Sequence, residues 1–140
     1  LAKERDKQDF RKEIPLHKTY LHEITQPAKI QSALEKLLDW TTTSEFRELH
    51  PILQSARLQH QFIQIFPYAD TSGKIGRMLT NFVLMRSGFY PVVIVSVDRS
   101  KYFDSFRGSI TTFSNLILDA MENSLENGLR HFRDMARLYR

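Results

Sequence analysis

Two broad apolar helical stripes meet at one loop that opens on a proline, Pro67 to Gly73, and this limits the chain more than any other feature. Upstream, Ile52, Ala56, Gln59, Ile63 and Phe66 share one helical face, with Leu58, Phe62 and Ile65 beside it. So wide a stripe predicts the central helix of a domain, starting near Pro51. Pro67 ends it, because proline lacks an N–H and disfavours the helical region for the residue before it. After the loop a helix is expected from about Lys74, carrying Ile75, Met78, Leu79, Phe82, Val83 and Met85. Ser87-Gly88 is its expected stop.

The remaining elements follow from the same periodicity. Residues 3–12 read as a polar, peripheral N-terminal helix. Residues 17–25, with Thr19, Tyr20 and Ile24 and no helical stripe, read as an extended segment or small β-hairpin. Pro27 suits a first helical turn, followed by Ile30, Ala33, Leu34, Leu37 and Leu38 as a core-facing stripe broken at Thr41–Ser44. Tyr90 to Val95 is a short apolar run in which Pro91 argues against an interior strand. Asp98 is expected to cap a short helix through Phe106. A long helix follows from about Ser109 to Phe132, with Ile110, Phe113, Ile117, Ala120, Met121, Ser124 and Leu125 inward. The fold class is all-α, in one domain spanning residues 1–140.

At 140 residues the chain can bury about 70% of the surface its unfolded form exposes, enough for a real core. With 41% hydrophobic and 26% charged residues the composition is globular rather than disordered. There are no cysteines, which excludes disulfides and thiol chemistry and fits a cytoplasmic location. No apolar run approaches the roughly 18 residues of a membrane span. The first residue is Leu, so a fragment of a longer chain is expected. The net charge of +4 comes from 20 basic and 16 acidic residues that interleave, as in Lys3-Glu4-Arg5-Asp6-Lys7. Such mixing describes a solvated surface, so nucleic acid is expected only through domains outside this fragment.

The loop carries the chemistry. Phe66-Pro67-Tyr68-Ala69-Asp70-Thr71-Ser72-Gly73-Lys74-Ile75-Gly76-Arg77 leads small and polar residues into a helix N-terminus. First-turn N–H groups and the helix dipole favour an anion there. Gly73 and Gly76 would let a ligand approach the backbone. Lys74 and Arg77, three apart, share one side of the first turn. Asp70 could hold a divalent cation against a phosphate. A P-loop fails at Tyr68 and Ile75, where glycine and a hydroxyl residue are needed. An EF-hand starting at Asp70 lacks its later acidic ligands. A dinucleotide fingerprint lacks its strand and glycine spacing. A simple loop with a solvated Lys/Arg pair is the plain alternative.

This stretch resembles, without gaps, the Fic family motif HPFxDGNGRxxR. Phe66 stands at the His position, Pro67 matches, and Tyr68 replaces Phe. Asp70 matches; Thr71, Ser72 and Gly73 stand at Gly, Asn and Gly. Lys74 replaces the first Arg and Arg77 matches the second. Leu37-Leu38-Asp39-Trp40, the helix Leu58 to Ile65, the Met78 to Gly88 stretch with Pro91, and Asp98-Arg99-Ser100-Lys101-Tyr102 resemble further family segments. The likeness covers roughly residues 14–130.

The resemblance implies AMP transfer from ATP to a Ser, Thr or Tyr hydroxyl on a protein target. It implies that the His position is the general base, the acidic residue (Asp70) holds Mg2+, and the loop (Thr71, Ser72, Gly73, Lys74, Gly76, Arg77) binds the phosphates. Thr19, Tyr20, Leu21 and His22 would belong to a flap that aligns the target by strand pairing. Phe66 cannot accept a proton, and general-base catalysis is worth about 10²–10⁴-fold, so transfer should be very slow. His60 lies six residues earlier, about 120° around the helix, and reads as a core histidine rather than a substitute base. The family's inhibitory helix has no match: Leu118 and Glu122 stand where it needs Ser or Thr. Two functions remain open, an impaired Fic-type adenylyltransferase and a non-catalytic nucleotide-, phosphate- or peptide-binding module of a larger signalling or transcriptional protein.

Overall fold

A computed structural model of the chain describes residues 9–15, 23–94 and 99–139. A 3₁₀ turn at Pro27–Lys29 leads into α1 (Ile30–Thr41), followed by α2 (Ser44–Glu48), α3 (Pro51–Ile65), α4 (Ser72–Arg86), α5 (Arg99–Ser105) and α6 (Ile110–Leu138). No strand occurs among the described residues. Each boundary has a local cause. Thr43 caps α2 by accepting from the Phe46 N–H, His50 Nδ1 accepts from Ile52 N–H ahead of Pro51 at the start of α3, and Ser109 caps α6 through Thr112 N–H. Gly88, at φ 81°, ends α4 as expected, with Phe89 N–H donating to Leu84 O at 2.9 Å.

α3 is the central helix, packing most extensively on α4 and also on α6 and α1. Its Ala56, Leu58, Phe62, Ile63 and Ile65 meet Ile30 and Leu37 of α1, Phe46 of α2, Val83 of α4, Tyr102 of α5, Phe106 in the turn after it, and Phe113 and Ile117 of α6. His60 is buried with them, its ring 5.7 Å from Phe113 and 5.9 Å from Phe106, the core position read from its spacing.

Several expectations need correction. Of the polar N-terminal helix over 3–12, residues 9–12 are described and are not helical; Arg11 is instead buried at 3% exposure. The hairpin at 17–25 falls largely on 16–22, outside the described residues; Glu23, Ile24 and Thr25 form no strand, and Thr25 N–H donates to Gln64 O at 3.0 Å. Asp98, the expected cap of α5, also lies outside them. α4 begins at Ser72 rather than near Lys74, and α2 was not anticipated. α6 runs to Leu138, past Phe132, because nothing after Phe132 breaks a helix and Met135, Ala136, Arg137 and Leu138 all favour one.

The face of α4 is turned from the one its large apolar residues suggest. Met78, Phe82 and Met85 are exposed, whereas Ser72, Gly76, Thr80 and Leu84, at i, i+4, i+8 and i+12, are buried. Small residues on this ridge let α4 lie close against α3. A Cβ added at Gly76 would come within 3.1 Å of Ile63 Cδ1 and 3.4 Å of Gln59 Cγ. Leu38 and Leu125 likewise face outward. The run after Tyr90 stays extended without a strand partner because the Asn81 amide takes that role. It donates to Val92 O at 3.1 Å and accepts from Val92 N–H at 2.8 Å.

Candidate functional site

The site is built where α3 ends and α4 begins. Phe66 caps α3 in the left-handed region, φ 48° and ψ 61°, and is the one described residue other than glycine at positive φ. A bulky side chain rarely adopts this conformation, and such backbone persists only where its surroundings enforce it. Here they do. The Phe66 N–H donates to Phe62 O at 2.9 Å, and Pro67 behind it is fully buried.

Arg11 provides the rest of the constraint. Its Nε donates to Phe66 O at 2.6 Å and its terminal nitrogens reach Ile65 O (3.3 Å), Glu13 O (3.2 Å) and Thr25 O, while its backbone N–H donates to Pro67 O at 2.8 Å. Carbonyls at a helix C-terminus lack intrahelical donors and carry partial negative charge, which a planar guanidinium with five N–H groups suits. Burial lowers the Arg11 pKa, yet arginine starts so high that the side chain stays charged near neutrality. Sequence reasoning missed this residue. Nothing local separates Arg11 from Arg5, Lys7 or Lys12 in the same charged run.

The loop is then closed on itself. Ser72, fully buried, donates its hydroxyl to Tyr68 O at 2.7 Å and accepts from Tyr68 N–H at 2.8 Å. Tyr68 leans on Phe10, ring centroids 5.8 Å apart. Thr71, the residue before α4, makes no side-chain cap bond. The first-turn N–H groups of α4 are therefore not capped by the side chain that precedes them, leaving an anion-attracting helix end.

The residues named from sequence divide into two sets. Asp70, Lys74 and Arg77 are exposed and Thr71 and Gly73 are half-buried, all around the start of α4. Ser72 and Gly76 face inward, so the Ser72 hydroxyl serves the loop and Gly76 serves contact with α3 rather than a ligand. Thr19, Tyr20, Leu21 and His22 lie outside the described residues. Among the described residues no group of three or more His, Asp or Glu could hold a metal ion.

Arg77 is held from the far side of the site. Its guanidinium carbon lies 5.9 Å from the centroid of the Tyr102 ring, and Nη1 would be 3.5 Å from a Cβ placed on Gly73. The Tyr102 hydroxyl, on a side chain only 4% exposed, accepts from Gln59 Nε2 at 2.8 Å, and Gln59 Oε1 accepts from the Thr80 hydroxyl. Burial pushes the Tyr102 phenol up from its ordinary pKa. The positive charge of Arg77, and hydrogen bonds from Arg77 and Gln59, pull the other way.

Two clefts lie elsewhere. One of about 1050 Å³ runs between α5, α6 and residues 90–94, and one of about 800 Å³ between α1 and α4; Asp70, Gly73, Lys74 and Arg77 line neither. The candidate site is an open loop and helix end.

Comparison with known proteins agrees with the helical fold. The family model described as Fic/DOC family matches residues 1–84. A protein adenylyltransferase Fic of Drosophila willistoni is 31% identical over 104 residues, covering 71% of this chain and 21% of its own. The Drosophila virilis protein of the same name is 30% identical over the same length. The chain thus spans about a fifth of these relatives. A solved structure of Fic-1 from C. elegans shares the fold, with TM-score 0.77 and 21% identity over 91% of this chain and 38% of that one. A Fic domain containing signaling protein from Bacteroides thetaiotaomicron matches with TM-score 0.67 and 26% identity, over 74% of this chain and 46% of that one. With the family model matched over more than half its length, and the motif loop set between two packed helices, this chain belongs to the Fic/DOC family.

Proposed function

We propose that residues 1–140 form one Fic-type domain that binds the phosphates of ATP at the start of α4 and transfers AMP poorly, because Phe66 replaces the general base. The observation that carries the reading is the pairing of an uncapped α4 N-terminus with Arg77 one turn along it, next to a backbone held at φ 48° at Phe66. Lys74 and Arg77 supply positive charge, and Gly73 keeps the helix start open. Asp70 is a single exposed carboxylate. That fits magnesium, which is commonly bound through one or two carboxylates plus substrate phosphates and waters. When bound, the metal would neutralise phosphate charge.

In the transfer a hydroxyl oxygen of a protein target bonds to the α-phosphorus of ATP, the bond to the bridging oxygen breaks, and pyrophosphate leaves. The hydroxyl proton must go to a base. Phe66 offers none, and the core position of His60 does not bring it into the loop. A second reading, a regulatory module that binds nucleotide or peptide without chemistry, draws on the same substitution.

Calorimetric titration of ATP with magnesium, with Arg77→Ala as control, tests the proposal. Saturable binding that the substitution weakens by more than about tenfold, yet leaves measurable, is expected. Phe66→His should then raise AMP incorporation into a protein acceptor. No heat at millimolar ATP would overturn the nucleotide reading. Binding without any gain from Phe66→His would favour the regulatory module.

A further inference from the structure

The polar chain Thr80–Gln59–Tyr102 has no place in the loop chemistry, yet it is buried and continuous. Thr80 is 1% exposed, Gln59 0% and Tyr102 4%, and they come from α4, α3 and α5. Polar side chains in a core cost stability unless each is paired, and here each is. The Thr80 hydroxyl donates to Gln59 Oε1, which fixes the amide so that Nε2 points at Tyr102 and donates to its hydroxyl at 2.8 Å. The other donor that hydroxyl meets is charged: Arg77, whose guanidinium lies 5.9 Å from the ring centroid.

An arginine on a helix surface has many rotamers, and fixing one normally costs entropy at the moment of binding. The ring face and the hydroxyl beside it together favour one place for the guanidinium, next to Gly73 at the open end of α4.

We infer that Tyr102, oriented through Gln59 and Thr80, is a positioning residue that presets the Arg77 guanidinium for a polyphosphate at the start of α4. The polyphosphate part rests on the nucleotide reading above; the presetting of Arg77 does not.

The test therefore has two arms. Without ligand, ¹⁵N relaxation of the Arg77 Nε–H reports side-chain order. It should be ordered in the wild-type chain and mobile in Tyr102→Phe, which keeps the ring and removes the oxygen. Equal mobility in both overturns the inference. With Mg·ATP as probe, Tyr102→Phe should weaken binding about tenfold, the factor that corresponds to one hydrogen bond to a charged group. In an Arg77→Ala background the same change should add nothing, because the two residues act as one unit. A full additive loss, or no loss in Tyr102→Phe alone, overturns the inference. Should Tyr102→Phe fail to fold, Thr80→Ser, which keeps the hydroxyl, should bind as wild type while Thr80→Val binds more weakly; equal binding by both overturns it. If the wild-type chain takes up no Mg·ATP, the nucleotide reading and the polyphosphate part fail together, and the relaxation arm alone judges whether Tyr102 presets Arg77.

Discussion

Arg11 Nε donates to the carbonyl of Phe66 at 2.6 Å across 55 residues of chain. The contact ties the segment before the 3₁₀ turn to the residue at the family's His position. The same guanidinium reaches Glu13 O and Thr25 O, on either side of residues 16–22. One cation thus holds Glu13 and Thr25 against the end of α3.

Arg11→Met should be costly. It keeps an unbranched apolar stem but leaves the carbonyls of Ile65, Phe66 and Thr25 without their donor. At about 1–3 kcal/mol for a buried group left unsatisfied, a loss on the order of 2–4 kcal/mol is expected in urea unfolding. A change below about 0.5 kcal/mol, the usual range for surface substitutions, would mean that water replaces the arginine freely.

Phe66 should tolerate His better than Val. Histidine is several-fold enriched at positive φ, whereas a β-branched residue there is an outlier. Phe66→His should unfold within about 1 kcal/mol of the parent chain, and Phe66→Val about 1–2 kcal/mol below Phe66→His. Equal stability of the two variants in denaturant melts would show that the backbone at 66 relaxes away from φ 48°.

Gly76 should resist enlargement. Its missing side chain is the point where α4 touches Ile63 and Gln59. At Gly76→Ala, a helix-propensity gain of about 1 kcal/mol opposes the tight contact, so the net change should be small. Gly76→Val adds two methyl groups beyond the Cβ, against buried α3, and should cost about 1–3 kcal/mol by overpacking. A Val variant as stable as Ala in thermal melts would argue that the two helices slide apart without penalty.

Tyr102 should make the chain sensitive to alkali. Burial first, opposed by the Arg77 charge, leaves its folded pKa above the ordinary 10.0. The unfolded chain then gives up this proton first as pH rises. The stability it contributes is complete below about pH 10 and is lost as pH climbs through the folded pKa. Urea unfolding at about pH 8 and about pH 10.5 should show a smaller drop for Tyr102→Phe than for the parent chain. Equal drops would place the alkaline sensitivity in other groups.

The central helix, the stop at Pro67, the Gly88 exit and the core histidine were legible in the sequence. Each rests on short-range rules: apolar periodicity, the missing proline N–H, and the tolerance of glycine for positive φ. That Asp70, Lys74 and Arg77 lie around the start of α4 was legible for the same reason, since a loop and one helical turn place them by spacing alone. Tertiary structure decided what these residues face. Ser72 and Gly76 looked like ligand positions and turned inward, because close packing of α4 on α3 needs small residues on that ridge. Met78 and Phe82 looked like core and turned outward with the same rotation of the helix. Arg11 and Phe66 are 55 residues apart, and Gln59 and Tyr102 are 43 apart. Contacts across such separations depend on where whole helices dock, and no local pattern in the chain records that.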